Sequence, residues 1–393
     1  MRLGFAAAAT AGAIVIRVAT GERHYRYTDT DFMNDNGRVY FIGAGASKQD
    51  RFPLTNELKH GIAWAILHDP SRFDLLAAHL QYLYNVQDVA LQESAQIWAA
   101  LRQRANDRPQ TDRSQVPDVT DLLSTLDWMI REQSSFGPSL RGGDSAEQSA
   151  TGDLAGVRDL VVQALCYCLG TYDDLNAAST TRDFIQLVRP DDALITTNWD
   201  LLLDAARDAR FGSEPQDYGT TGNVVLEGGT DPQGDERPKL LKLHGSLSWR
   251  YCQRCQRLVI DPLHHVAGER RERATCVCTC RFSELIVTPG FVREYRNLHL
   301  LTIWREALLT LARAAQWVFI GYSLPADDVG IRTLLLKARC VRQDVGGETP
   351  LVTIVTGPDR REETLARYRG ILPQAELDAD DFGHFVTTRK LLN

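Results

Sequence analysis

VYFIGAGAS, residues 39–47, decides how this chain is read. Its first half is a run of β-branched and aromatic residues long enough for a strand buried on both faces. Its second half carries that strand into a Gly-rich turn, the usual way a backbone comes close to a dinucleotide pyrophosphate. A Gly-x-Gly turn also serves as a tight strand-to-helix connection, because glycine takes positive φ without a Cβ clash. The third glycine of the dinucleotide fingerprint is missing, and no acidic residue ends a second strand about 20 residues later. That disfavours an ordinary dehydrogenase.

Two later segments end in the same manner. LITTNWD, residues 194–200, and LLKLHGS, residues 240–246, each place one useful polar side chain just after an apolar strand-like run. Asn198 can accept from a ribose hydroxyl or orient a water. His244 carries the side chain best suited to proton transfer near neutral pH, and Gly245 lets the backbone pass close behind it. Each has a structural alternative: Asn198 as a turn-former, Asp200 as the cap of a helix beginning at Leu201, His244 as a packed core residue. In open α/β sheets ligands bind at the carboxyl ends of strands, so the three segments converge on one site. FIGYSLPADD, residues 319–328, is a fourth such turn, in which Ser323 and backbone N–H groups suit the adenosine half of a dinucleotide and Asp327 or Asp328 suits an N-cap.

The rest of the chain is organised around those turns. Residues 52–67 repeat Leu54, Leu58, Ile62 and Ile66 at helical spacing, with Thr55 near the N-cap. FDLLAAHLQYLYNV, VTDLLSTLDWMIRE and LAGVRDLVVQALCYCLG continue the helical pattern, separated by polar loops, and no strand pattern interrupts residues 58–187. The second half alternates: ALITTN, PKLLKLHGS, WVFIGYS and LVTIVT read as strands, with helices in LLLDAARDA, residues 298–315, VGIRTLLLKA and REETLARYRG. This predicts an α/β fold with a doubly wound, parallel, Rossmann-like sheet formed by residues 38–58 and 190–393. An all-helical insertion at 59–189, a small zinc-binding module at 250–284 and an N-terminal extension at 1–37 complete it.

At 393 residues, 44% hydrophobic and 24% charged, the chain has the composition of a globular protein large enough for more than one domain. A net charge of -7 argues against a surface that coats nucleic acid. No apolar run reaches the ~20 residues of a membrane span. The opening MRLGFAAAATAGAIVI resembles a weak signal peptide, but no clean cleavage site follows it. Of eight cysteines, five crowd between Cys252 and Cys280. Cys252-x-x-Cys255 is followed after 20 residues by Cys276-x-Cys278-x-Cys280, which suits a tetrahedral, closed, structural zinc site. Five thiols compete for four positions, and Cys276 or Cys278 together with Cys280 is the expected second pair. His264 and His265 lie between the knuckles as lesser candidates. Cys166, Cys168 and Cys340 read as packing residues. Metal-type cysteines point to a reducing cytoplasm.

The ordered set GAGAS, TTNWD, KLHGS, a four-thiolate module and GYSLPADD resembles the sirtuin family, and in particular its prokaryotic sirtuin-like branch associated with antiphage defence. The likeness covers residues 39–53 and about 193–355. It implies NAD+ as substrate and a contacting set of Gly43, Ala44, Gly45, Ala46, Ser47, Thr197, Asn198, Asp200, Gly245, Gly321 and Ser323. It further implies that Asn198 positions the nicotinamide ribose and a water, that His244 is the base, and that Asp200 meets the nicotinamide carboxamide. Protein-deacylating sirtuins follow the Gly-rich turn with Gly-Ile-Pro-Asp-Phe-Arg; here KQDRFPLTNEL keeps only Arg51-Phe52-Pro53 in loosely similar form. The segment after the zinc module is VTPGFVREYRN, and the insertion is foreign to deacylases. These departures move the expected acceptor from acyl-lysine toward water. NAD+ hydrolysis to nicotinamide and ADP-ribose is therefore expected, gated by homo-oligomerisation or by an ATPase translocase or Argonaute-like partner. An NAD-dependent deacylase or ADP-ribosyltransferase is the alternative, and a non-catalytic nucleotide-sensing module the second.

Overall fold

The structure, a computed structural model, describes residues 14–15, 26–27, 37–103, 115–132, 153–172, 179–212, 217–220, 224–226, 237–261, 275–290, 297–378 and 381–392. Of the expected N-terminal extension only β1 (Ile14–Val15) and β2 (Arg26–Tyr27), paired antiparallel, and residue 37 fall inside this set; His264 and His265 lie outside it.

Residues 39–42 form most of β3 (Arg38–Ile42), and all four are at most 3% exposed, as a central parallel strand requires. β3 pairs on one side with β4 (Ala193–Thr196), which pairs with β6 (Lys239–Lys242). On its other side it pairs with β10 (Gln316–Ile320), then β11 (Leu351–Val355) and β12 (Ala375–Leu377). All five pairings are parallel, and the order β12-β11-β10-β3-β4-β6 is that of a doubly wound dinucleotide-binding sheet. The chain works outward from β3 to β6, then returns to start again at β10. The order therefore reverses between β3 and β10, where such folds open a crevice for ligands.

Short polar side chains start several of the helices. Asn297 Oδ1 accepts from His299 and Leu300 N–H at the head of α9 (Leu298–Arg313), and Asp328, not Asp327, caps α10 (Val329–Asp344). Thr55 does not cap α2 (Leu58–His68). It opens a short 3-10 turn, Thr55–Glu57, in which the Glu57 carboxylate accepts from Leu54 N–H at 2.8 Å.

The insertion is helical, as its periodicity predicts. α2, α3 (Pro70–Tyr84), α4 (Asp88–Gln103), α5 (Val119–Glu132) and α6 (Leu154–Leu169) share one apolar core. α4 escapes a reading based on large apolar residues, because its inner face is Ala90, Leu91, Ser94, Ala95 and Trp98. The insertion ends earlier than residue 189. α7 (Ser179–Ile185) sends Phe184 and Ile185 into the core of the parallel sheet, where Phe184 meets Tyr40 and Phe382 edge-on.

The zinc-type module sits on a second sheet, β5-β8-β7-β9, built from β5 (Val224–Leu226), β7 (Gly245–Tyr251), β8 (Leu258–Ile260) and β9 (Ser283–Ile286). PKLLKLHGS, expected as one strand, breaks after Lys242. The break needs Gly245: its φ is +76°, and a Cβ there would lie 1.9 Å from the Leu285 carbonyl oxygen. His244 thus stands where the chain leaves one sheet for the other. The apolar Leu351, Val329 and Leu298 are exposed, and so is Cys340, against the expectation that its thiol packs. Among the described residues no helix is long and apolar enough to cross a membrane.

Candidate functional site

Parallel register brings the four sequence segments to one edge of the sheet. Ile42 pairs with Thr196 and Ile320, and Thr196 pairs with Lys242, so Gly43, Thr197, Leu243 and Gly321 all follow at the same level. Asn198 and His244 each stand two residues beyond that paired row on neighbouring strands, and both are buried. Neighbouring strands lie about 4.8 Å apart.

The Gly-rich turn is short. Gly43 leads directly into α1 (Ala44–Gln49), so Ala44, Gly45, Ala46 and Ser47 are already helical. Its glycines serve a close approach to the end of β10. Gly43 N–H donates to the Ile320 carbonyl and Gly45 N–H to that of Gly321, both at 2.9 Å. Gly321 has φ +62°, and a Cβ on it would lie 2.1 Å from the Ala46 nitrogen. The structural reading of GAGAS therefore holds at the strand-order reversal itself. Ser323 follows in the same loop, where its carbonyl accepts from Arg367 and the neighbouring Tyr322 hydroxyl donates to Asp328.

Ser47 links the first turn to the second. The Asn198 Nδ2 donates to Ser47 Oγ at 2.8 Å, and Ser47 Oγ donates to Asp200 Oδ2 at 2.7 Å. Because the Ser47 proton faces a carboxylate, its lone pair must meet the amide nitrogen of Asn198. What Asn198 offers a ligand is then its carbonyl oxygen, an acceptor. Its own N–H is anchored on Thr196 Oγ1, whose hydroxyl donates to the Ile42 carbonyl. Asp200 Oδ1 accepts from Leu202 N–H at 3.1 Å, just ahead of α8 (Leu202–Phe211), which starts one residue later than expected. Burial pushes the Asp200 carboxyl above the usual carboxylate range, opposed by Lys242 and the Ser47 hydroxyl.

Beneath this relay lies a buried polar group that sequence reasoning missed. Lys242 Nζ donates to the Asp200 carbonyl at 2.5 Å and to Asp204 Oδ2 at 2.8 Å, and the Tyr218 hydroxyl donates to Asp204 Oδ1 at 2.5 Å. Lys242 is 1% exposed and Asp204 0%. The signal was present as a lysine closing an otherwise apolar strand and an aspartate one helical turn past Asp200. His244 is held by its backbone, whose carbonyl accepts from Val287 N–H at 2.8 Å, and its ring lies beside Trp304 at 6.4 Å between centroids. Trp304 Nε1 donates to the Leu243 carbonyl. The Trp199 carbonyl accepts from Leu247 N–H at 3.0 Å, tying the Asn198 loop to the His244 turn.

The insertion roofs this edge. Leu247 belongs to its core, and Phe52, Trp199 and Ile286 pack against that core.

Four of the five clustered thiols converge. Cys252, Cys255, Cys276 and Cys278 bring their sulfurs within 4.8 Å of one another, with Cys252–Cys278 at 3.4 Å and Cys255–Cys276 at 3.2 Å. A tetrahedron with metal–sulfur bonds of about 2.3 Å has edges of about 3.8 Å, so the set fits zinc with no position open to substrate. Cys280 stays outside it, which corrects the expected second pair. Thr279 takes φ +67° and Cys276 N–H donates to the Cys280 carbonyl, a tight turn that presents Cys276 and Cys278 inward. The Cys280 amide also draws the Cys278 thiol down to about 6, favouring the thiolate a metal needs.

A comparison with curated proteins gives no match. Among solved structures, a complex of a Sir2 homologue with NAD shares 14% identity over 92% of this chain and 93% of its own, with a TM-score of 0.41. A Sir2 with p53 peptide and NAD+ shares 14% over 92% and 95%, with a TM-score of 0.37. Residues 192–373, which run from the start of β4 to just before β12 and hold Asn198, His244 and the four thiols but not β3, match the SIR2-like domain family.

Proposed function

We propose that this chain hydrolyses NAD+ to nicotinamide and ADP-ribose at the carboxyl edge of β3, β4, β6 and β10. The observation that carries the reading is the placement of Asn198 and His244: two buried polar side chains, each two residues past the same register row, on neighbouring strands. The SIR2-like match of residues 192–373 supports NAD use, and with it membership of the sirtuin family for the chain as a whole.

In this reading the pyrophosphate lies against Gly43 to Ser47 and Gly321, and the adenosine end reaches Ser323. Thr197 and Gly245 border the ribose. The N-glycosidic bond breaks with its electron pair going to the pyridinium nitrogen, so nicotinamide leaves neutral and the ribose becomes oxocarbenium-like. The Asn198 carbonyl oxygen orients the attacking water, which adds at the anomeric carbon, and His244 accepts the proton it gives up. Ser47 and Lys242 act as positioning residues, and Asp200 holds the amide relay near the nicotinamide. Preorganised polar groups in a closed site supply most of the stabilisation, with general base help contributing about 10²–10⁴-fold. Zinc, held by Cys252, Cys255, Cys276 and Cys278, would fix the second sheet and so the turn carrying His244.

The roof of insertion helices favours water over a peptide acceptor, since Trp199 and Leu247 sit against its core. An unregulated activity of this kind would exhaust its host. The biological setting proposed is therefore an antiphage, abortive-infection effector of the cytoplasm, held in check until copies assemble or an ATPase translocase or Argonaute-like partner engages it. The test is nicotinamide release by the purified chain. Release from NAD+ alone, or with a neighbouring gene product added, supports hydrolysis. Release only with an acylated peptide would assign a deacylase, and binding without turnover under every condition a sensor.

A further inference from the structure

The seam between the insertion and the parallel-sheet domain holds a cavity of about 290 Å³ that none of the roles above uses. One wall is the loop after α1, with Asp50, Arg51 and Phe52; the other comes from the ends of α4 and α6, with Arg102 and Tyr172; Leu202 closes the base. Its charge is one-sided. The Asp50 carboxylate is already committed, accepting from the N–H groups of Thr180 and Thr181 at 3.0 and 2.9 Å and from the Thr181 hydroxyl. Two guanidinium groups remain. Arg51 is exposed, on a backbone with φ +67°. Arg102 lies over the Trp64 ring at 5.3 Å and makes one long contact, 3.4 Å, to the Thr171 carbonyl. Phe52 and Tyr172 lie together at 5.5 Å between centroids, their planes tilted by 55°, and give the cavity an aromatic corner.

We infer that this seam is a binding site for a small anionic ligand carrying a single planar ring. Phosphate and carboxylate both suit guanidinium groups, which donate in a planar fork, and two of them line this cavity. The ring lies in the corner between Phe52 and Tyr172, stacked on one and edge-on to the other, and a volume near the lower bound of ligand pockets, about 300 Å³, admits little more. The site is coupled to the relay by two short links: Phe52 N–H donates to the Ser47 carbonyl at 3.0 Å, and Leu202 N–H to Asp200. Occupation therefore bears on the orientation of Ser47 and Asp200. That consequence rests on the function proposed above; the binding itself does not.

Thermal unfolding of the full-length protein tests it, with phenyl phosphate, benzoate, inorganic phosphate and phenol as probes. Phenyl phosphate or benzoate at ten times its Kd raises Tm by about 3 °C. Whichever of the two does so identifies the anionic group, and phenol leaves Tm unchanged. The shift disappears in Arg51→Gln combined with Arg102→Gln, two exposed positions, and in Ala99→Trp, which fills the cavity from α4. The same shift in those variants, or a phenol shift equal to that of the anions, would overturn the site. So would no shift from either aryl anion, and inorganic phosphate acting as strongly as phenyl phosphate would remove the ring.

Discussion

Replacing Lys242 by methionine keeps most of the side-chain volume and takes one charge from the floor of the site. With Lys242 1% and Asp204 0% exposed, the variant leaves a buried carboxylate that has lost its 2.8 Å partner. Tyr218 still donates to it, and the buried Arg207 lies within electrostatic reach. Breaking a buried pair by removing one member costs about 3–5 kcal/mol. At roughly 2 °C per kcal/mol for a domain of this size, the thermal midpoint falls by roughly 6–10 °C. Adding Asp204→Leu and Tyr218→Phe removes the unpaired carboxylate and its hydroxyl donor but also takes Asp204 from the buried Arg207 guanidinium, so it recovers only part of that loss. Turnover does not recover with it, because the bond from Lys242 to the Asp200 carbonyl is still missing. Thermal unfolding and nicotinamide release on the same preparations separate the two effects. A loss below about 1 kcal/mol in Lys242→Met, the size seen for an exposed pair, would refute the reasoning.

Three further outcomes follow from the geometry. Zinc analysis of the purified protein should find about one equivalent, retained in Cys280→Ser and lost in Cys276→Ser or Cys278→Ser; loss in Cys280→Ser would restore the pairing expected from spacing. Since burial raises the Asp200 carboxyl, the folded state binds its proton more tightly than the unfolded state, so the wild type loses stability as pH rises from the ordinary carboxylate range through the raised value. Asp200→Asn lacks that loss, and urea unfolding between about pH 4 and pH 7 should show the gap moving in its favour as pH rises; a constant gap would count against a raised carboxyl. Gly321→Ala puts a Cβ 2.1 Å from the Ala46 nitrogen at φ +62°, so the turns of β3 and β10 must part. Its backbone term alone is about 1–2 kcal/mol, and circular dichroism melts should show at least that loss together with failure of NAD+ binding.

Much of this arrangement is legible in the sequence because parallel strands buried on both faces must be continuous apolar runs. VYFI, ALIT and WVFI announce β3, β4 and β10, and turn residues mark their carboxyl ends. What stayed hidden has a common cause: it depends on pairings across long stretches of chain. Ser47 meets Asp200 across 153 positions, and nothing local to either says so. Lys242 reads as a solvated strand end until Asp204 is seen below it. Cys280 matches metal spacing as well as its neighbours do, and only the turn at Thr279 excludes it. α4 and the packing of α7 were missed because alanines and a two-residue apolar face carry little pattern of their own.

The central claim is that Asn198 and His244 act on one sugar, and a double-mutant cycle on nicotinamide release tests it most directly. Asn198→Ala and His244→Ala should each lower the rate by about 10²–10⁴-fold, and the combined variant should fall little further than the worse of the two, as groups that work as a unit do. Losses that multiply in the double variant, or an undiminished rate in either single one, would contradict it.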